Sequence, residues 1–176
     1  MITPTWSLRR LHSLDDAMIE ELAELLIDCV DGDASVSFMH PLSRDRALAF
    51  WRGVAQGVAA GGRALLVAED ARGVCGTVQL VLDQPENQPH RADLAKMLVH
   101  RRARRQGLGA ELMGAAEVMA RECGKRLLVL DVVTEGDAAR LYERLGWERV
   151  GEIPGYALMP RGGLCGTTIY YRHLGE

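Results

Sequence analysis

The residues best suited to chemistry form one short segment, residues 99–110, which reads VHRRARRQGLGA. Gly107 and Gly109 let the backbone approach a ligand closely and leave amide N–H groups uncovered at a helix start, where anions bind. Charge for several phosphates comes from four arginines, which are Arg101, Arg102, Arg104 and Arg105. The segment lacks the Gly-Lys-Ser/Thr end of a P-loop, and Leu112 excludes the dinucleotide fingerprint G-x-G-x-x-G. Taken alone, it is more typical of a glycine-rich helix start with solvated arginines.

Two carboxylates stand on segments that predict neighbouring strands. Asp131 interrupts the apolar run 127–133, and Asp93 begins the run 92–99. A carboxylate in an apolar strand is costly unless it is hydrogen-bonded, paired or exposed to a cleft. The alternatives are a solvent-facing strand residue for Asp131 and a strand-entry cap for Asp93. The pattern favours a functional role for Asp131 and does not decide for Asp93.

These residues depend on elements whose order is readable from hydrophobic periodicity. The first half of the chain predicts a strand at 5–11, helices beginning near Asp15 and Ser43, and a hairpin of strands 64–69 and 74–82. The second half predicts a strand at 92–99, a helix at 107–122, a strand at 127–133 and a short helix capped by Asp137. The last two strands, at 147–153 and 165–173, are joined through Pro154-Gly155-Tyr156 and residues 160–163. Two helices before a hairpin, followed by a strand–helix–strand unit, predict a mixed α/β sheet with helices on both faces.

Composition removes several classes of protein. Of the 176 residues, 48% are apolar and 26% are charged, which is typical of one globular domain spanning 1–176. A net charge of −3 provides no global field that would recruit nucleic acid. The cysteines form no C-x-x-C pair, so no metal site is expected. Without a secretory apolar region or a long apolar run, we expect a cytoplasmic protein that contacts no membrane.

Two motifs carry a resemblance to a known family. Arg104-Arg105-Gln106-Gly107-Leu108-Gly109, placed after a strand that ends in Met97-Leu98-Val99, resembles the coenzyme A pyrophosphate loop of the GNAT acetyltransferases. Residues 138–147, AARLYERLGW, resemble that family's A-x-x-L-Y-E-K-x-G-F signature. The resemblance implies the GNAT fold, a mixed and mostly antiparallel central sheet flanked by helices on both faces. It also implies acetyl-CoA as the cofactor of an N-acetyltransferase.

A narrower resemblance concerns the acceptor. Residues 31–39, 87–99, 150–156 and 168–171 are similar to the tabtoxin-resistance acetyltransferases, which acetylate a small amino-acid-like β-lactam toxin. The chain departs from the general family pattern at two positions. His100 stands where proline is common, and Glu135 stands where asparagine often precedes the short helix.

The resemblance assigns cofactor contacts residue by residue. The backbone of Met97, Leu98 and Val99 would face the pantetheine arm and the thioester, although their side chains alone are typical of a core. The pyrophosphate would be held by Arg104, Arg105, Gln106, Gly107, Leu108, Gly109 and Ala110. Tyr142 would be the general acid, because a phenol can protonate a departing thiolate; the alternative is an amphipathic tyrosine at the edge of the core.

The remaining roles concern the acceptor amine. Asp131 or Asp93 would accept the amine proton, bind the ammonium group or hold a relaying water. Phe38, Met39 and Tyr156 would wall the acceptor pocket. The predicted reaction is direct attack of a small-molecule primary amine in a ternary complex, by a monomer or homodimer that binds no nucleic acid. Alternatives are acetylation of a protein N-terminus or lysine, and a coenzyme A-binding regulatory module without turnover.

Overall fold

The structure is a computed structural model that describes residues 6–175. Its elements follow the predicted order, with strands β1 (Trp6–Leu11), β2 (Arg63–Asp70), β3 (Gly73–Val81), β4 (Arg91–Val99), β5 (Leu127–Val133), β6 (Glu148–Leu158) and β7 (Leu164–His173). The helices are α1 (Asp16–Asp31), α2 (Arg44–Ala59), α3 (Leu108–Glu122) and α4 (Asp137–Arg144). Thr5, the predicted start of the first strand, lies outside the described residues.

The strands join in one sheet with the order β1-β2-β3-β4-β5-β7-β6. Within residues 6–175, β4 and β5 are the one parallel pair, and they pair only over Arg91–Asp93 and Leu127–Val129. Beyond these residues β4 continues beside β3 and β5 continues beside β7. The predicted mixed, mostly antiparallel sheet is therefore confirmed, and a cleft opens in it between β4 and β5.

Helices cover both faces of the sheet, as predicted. α1 and α2 cover one face, where Leu22 and Trp51 are fully buried, and α3 and α4 cover the other, where Leu112 is fully buried. Each such side chain contributes roughly 1.5–3 kcal/mol by leaving water. Asp15 and Ser43 cap α1 and α2 by accepting hydrogen bonds from first-turn amides. None of these described helices combines the length and apolar character that crossing a membrane requires.

A β-bulge in β4 lies at the mouth of the cleft. The register between β3 and β4 slips by one residue between Ala95 and Leu98, and Lys96 adopts a positive φ of 50°. The slip reverses the alternation of side chains, so Met97 packs with the core under α3 whereas Leu98 packs with the core under α1 and α2.

Two predicted boundaries are wrong. Pro154-Gly155-Tyr156 lies inside β6 as an irregularity, and residues 159–163 make the turn to β7. Because β6 is an edge strand, proline there can face away from the ladder of hydrogen bonds. Gly136 rather than Asp137 is the N-cap of α4, and the Asp137 carboxylate in the first turn accepts a hydrogen bond from Arg140 at 2.7 Å.

Candidate active site

The cleft between β4 and β5 ends at the start of two helices. α3 follows β4 and α4 follows β5, so both N-termini lie at the end of the sheet where the two strands diverge. They approach closely: a Cβ atom on Gly109 would lie 3.1 Å from a methyl carbon of Leu141 and 3.9 Å from the Met97 methyl group. Glycine at position 109 therefore lets the two helices meet across the mouth of the cleft.

The N-terminus of α3 forms an anion cradle. Gly107 is its N-cap, with φ of 91°, no capping side chain and open space around the position of a Cβ atom. The first amides of a helix have no partner within the helix, and they point outward with the positive end of the helix dipole. The residues from Gln106 to Ala110 thus offer backbone donors to a phosphate, with Arg105 beside them at a φ of 57°.

Two of the four arginines pair with carboxylates of the scaffold. Arg101 is paired with the carboxylate of Asp28. Arg102 holds Asp70 through two contacts of 2.8 and 3.2 Å, which keeps the pKa of the Asp70 carboxyl below its usual range. Because both arginines have carboxylate partners in the scaffold, Arg104 and Arg105 are the better candidates for phosphate contact, and a contribution from all four stays a prediction.

Arg104 and Arg105 remain near the cradle. The Arg104 Nε atom donates to the carbonyl of Val99 at 3.0 Å, so this side chain lies over the end of β4. The Arg105 side chain is 85% exposed, and within the described residues its one ion pair is with Asp137, at 3.3 Å. It bridges the anion cradle and the first turn of α4, and its exposed side chain can turn towards an anion.

Tyr142 lies on α4 beneath the cleft. It is 5% exposed, and its ring packs at a tilt against Trp147 and Tyr170, with centroids 6.0 and 6.1 Å away. Burial, and secondarily the carboxylate of Asp131, raises the pKa of the phenol. The hydroxyl therefore keeps its proton through the physiological range, and no side chain within residues 6–175 hydrogen-bonds it.

A pocket of about 340 Å³ lies on the opposite side of β5 from α4. It brings together four residues predicted for the acceptor site, and it is lined by Phe38, Met39, Asp131 and Tyr156 with other residues of the same loops and strands. The Thr167 hydroxyl lies 3.3 Å from an Asp131 carboxylate oxygen and 3.2 Å from the Val132 carbonyl, so its single proton can serve either acceptor.

The connection between α1 and α2 contacts the turn between β6 and β7 beside this pocket. The amide of His40 donates to the carbonyl of Pro160 at 2.8 Å. Arg161 donates to the carbonyl of Asp31 at 3.0 Å. The His40 ring lies 3.4 Å from the Asp31 carboxylate. Hydrogen bonds therefore join the loop and the hairpin at these residues.

Asp93 lies apart from the other candidates. It stands at the paired end of β4 and β5, opposite Val129, where the cleft is closed. Its carboxylate forms an ion pair with Arg91 and accepts a hydrogen bond from Gln84 at 3.1 Å. The structure thus brings Asp131 to the pocket and leaves Asp93 in a local polar network.

Sequence reasoning missed Lys96 and Ser37. The ammonium group of Lys96 donates to the Ser37 hydroxyl at 3.1 Å, and Ser37 lines the pocket. The available signal was a lysine in the middle of an apolar strand. The β-bulge turns the Lys96 side chain towards Ser37 and the pocket, and the residue types around Lys96 do not predict a bulge.

Comparison with known proteins agrees with this geometry. The sequence profile described as an acetyltransferase (GNAT) domain matches residues 61–149, half of the chain. The yncA protein of Salmonella typhimurium, assigned as an acetyltransferase and solved with acetyl-CoA, superposes with a TM-score of 0.78 at 22% identity, covering 98% of this chain and 96% of that one.

Two further solved structures share the fold. One, assigned as a phosphinothricin N-acetyltransferase, has a TM-score of 0.79 at 21% identity, over 97% of this chain and 99% of its own. The other is the ribosomal-protein-alanine N-acetyltransferase of Brucella melitensis, with a TM-score of 0.79 at 20% identity, over 95% and 99%. The matched residues include the anion cradle and Tyr142, and the chain belongs to the GNAT acetyltransferase family, whose cosubstrate is acetyl-CoA.

Proposed function

We propose that this acetyltransferase transfers the acetyl group of acetyl-CoA to the primary amine of a small molecule, by direct attack within a ternary complex. The observation that carries the proposal is the acceptor pocket, about 340 Å³ in volume, beside a loop and a hairpin that are joined by the hydrogen bond from His40 to Pro160. That volume is at the small end of ordinary ligand pockets, which span roughly 300–1,000 Å³.

The amides of residues 106–110 suit the pyrophosphate of acetyl-CoA, and the cleft beside Met97, Leu98 and Val99 suits its pantetheine arm. The strand edge in the cleft carries backbone groups that β5 does not pair, because the β4–β5 ladder ends at Asp93. Acetyl-CoA supplies the thioester carbonyl that the amine attacks. Unpaired donors aimed at that oxygen would stabilise the charge that develops on it.

Tyr142 is the proposed general acid. As the new N–C bond forms and the C–S bond breaks, its hydroxyl gives a proton to the departing thiolate. The raised pKa of the Tyr142 phenol suits this role, because the phenol is fully protonated before each turnover and regains its proton afterwards. General-acid catalysis of this kind contributes typically about 10²- to 10⁴-fold in rate.

Asp131 is the proposed partner of the acceptor amine. Its carboxylate lines the pocket, attracts the ammonium form of the substrate and takes one proton from it, which frees the nitrogen lone pair for attack. The second proton, lost once the N–C bond has formed, replaces through solvent the one that Tyr142 gives to the thiolate. Asp93 is the weaker candidate, since Arg91 and Gln84 already occupy its carboxylate. Phe38, Met39 and Tyr156 supply apolar walls that restrict the size of the acceptor.

The choice of a small acceptor rests on the joined loop and hairpin. A peptide needs an extended groove, and the hydrogen bonds of Arg161 and His40, which hold the loop against the hairpin beside the pocket, favour a compact acceptor. The fold itself fits either class, because one neighbour is named for phosphinothricin and another for an alanine of a ribosomal protein. The resemblance of residues 31–39 and 150–156 to the tabtoxin-resistance enzymes adds support for an amino-acid-like acceptor.

The test is a thiol-release assay with acetyl-CoA and two acceptor panels. One panel holds the L-amino acids and other small primary amines, and the second holds ten-residue peptides with free N-termini and lysines. We expect at least one small amine to exceed every peptide by about 10-fold or more in kcat/KM, which corresponds to about 1.4 kcal/mol in transition-state binding. Turnover of peptides together with inert small amines would contradict the proposal.

Variants of two carboxylates serve as a matched pair in this assay. Asp131→Asn should lower kcat/KM for the best amine strongly, because the pocket loses its only proposed proton acceptor. Asp45→Asn removes a carboxylate from the first turn of α2, outside the pocket, and should change kcat/KM little. Equal effects of the two substitutions would remove Asp131 from the mechanism.

A further inference from the structure

A cluster of cations lies behind the acceptor pocket, on the face of the sheet that α1 and α2 cover. The ammonium group of Lys96 lies 5.7 Å from the centre of the Phe50 ring and donates to Ser37. Arg63, at the start of β2, donates to the side-chain oxygen of Gln79 at 2.8 Å. Gly57 of α2 gives Arg63 its space, since a Cβ atom there would lie 2.8 Å from the arginine Cδ atom.

The two cations of this cluster have no carboxylate partner among the described residues. Within residues 6–175, neither Lys96 nor Arg63 forms an ion pair with a carboxylate, and the two cations repel one another. Burial lowers the pKa of the Lys96 ammonium, and Asp131 across the pocket counteracts this only partly. A half-buried cation without a carboxylate in contact is costly, so Lys96, which reaches the pocket through Ser37, lacks a matching anion.

An unpaired amide adds to the cluster. Gln79 is 1% exposed, and its Nε2 atom has no hydrogen-bond acceptor among the described residues. The orientation of this amide is fixed, because a guanidinium can only donate and therefore requires the Gln79 oxygen. The buried Nε2 donor is left unsatisfied beside the Arg63 guanidinium.

We propose that Lys96 is a specificity-determining residue that binds an anionic group of the acceptor, with Arg63 and the Gln79 amide reinforcing the positive field behind it. The inference rests on the proposed function and narrows it. The acceptor is a zwitterion whose ammonium group meets Asp131 and whose carboxylate, phosphinate or phosphonate meets Lys96. Ser37 lines the pocket and contacts Lys96, so it connects the acceptor pocket with the cation cluster.

The test compares acceptors that differ only in the anion. For the best amino acid in the panel, kcat/KM is measured beside its α-amide and its decarboxylated amine. Wild type should prefer the anionic acceptor, and Lys96→Met should reduce that preference by about 10- to 100-fold, the usual effect of losing one charge-assisted contact. Lys96→Arg should retain most of the preference. Arg52→Met, which removes an exposed cation from α2, should leave the preference unchanged.

A second measurement does not depend on turnover. Propionate and methylphosphonate, which lack an amine, are titrated into the coenzyme A-saturated protein, and backbone amide shifts are followed by NMR. Shifts at Ser37 and Lys96 that saturate in wild type and vanish in Lys96→Met support the anion site, even where no small amine is turned over and the proposed function fails. A preference that Lys96→Met leaves intact, or the absence of any saturable shift in wild type, would overturn the proposal.

Discussion

Arg102 should stabilise the fold without contributing to acetyl-CoA binding. Its guanidinium holds Asp70 in a two-point contact and also donates to the carbonyls of Gly73 and Val74 at 3.2 and 2.9 Å. The Arg102 side chain is 19% exposed and that of Asp70 is 17% exposed, so solvent replaces only part of what is lost. Because hydrogen bonds to charged groups contribute about 1.5–3 kcal/mol and this pair is part-exposed, we expect Arg102→Met to cost about 2–3 kcal/mol.

The assay combines thermal unfolding with titration of acetyl-CoA. A loss of about 2–3 kcal/mol should lower the melting temperature by roughly 4–12 °C in a chain of this size, while the Kd for acetyl-CoA stays within a factor of about 2. Arg105→Met is the matched control, because its side chain is 85% exposed. That substitution should leave the melting temperature nearly unchanged and weaken acetyl-CoA binding by roughly 3- to 10-fold.

The reverse pattern would refute this reasoning. If Arg102→Met binds acetyl-CoA much more weakly at an unchanged melting temperature, the arginine leaves Asp70 to meet the phosphates. The scaffold role assigned here would then be wrong.

Three further predictions follow from the same contacts. Tyr142→Phe should lower kcat by about 100-fold while the Kd for acetyl-CoA changes little, and equal losses in both would make the tyrosine structural. The stability difference between wild type and Asp70→Asn should be complete at pH 7 and shrink as pH falls below about 4, because the folded pKa of Asp70 lies below its unfolded value; a difference that instead grows in acid would contradict the pairing. Arg161→Ala should release the loop from the hairpin and raise KM for the acceptor several-fold, with the Kd for acetyl-CoA as the control that stays constant.

The order of elements was predictable because each has a strong local signal. The hairpin turn at residues 70–73, the helix starts near Asp15 and Ser43 and the glycine at the start of α3 all lie where residue types predict them. The edge position of β6 is a property of the sheet as a whole. Pro154-Gly155-Tyr156 therefore predicts a turn, although an edge strand accommodates the same residues.

In the site, too, features set by local sequence were predictable and features set by distant partners were not. The anion cradle depends on local backbone conformation, so Gly107 and Gly109 predict it from the sequence. The partners of Arg101 and Arg102, by contrast, come from α1 and from the end of β2, and no spacing along the chain reveals them. Lys96 was missed because its positive φ has no glycine to signal it.

The most direct test of the acetyl-CoA site is a thermal-shift titration with acetyl-CoA, coenzyme A and ATP in parallel. A ligand at about 100 times its Kd should add roughly 2.7 kcal/mol to the free energy of unfolding, which corresponds to about 5–11 °C. We predict that acetyl-CoA and coenzyme A both produce such a shift and that ATP does not. No shift with either coenzyme A species would contradict the assignment of the β4–β5 cleft and the α3 N-terminus as the acetyl-CoA site.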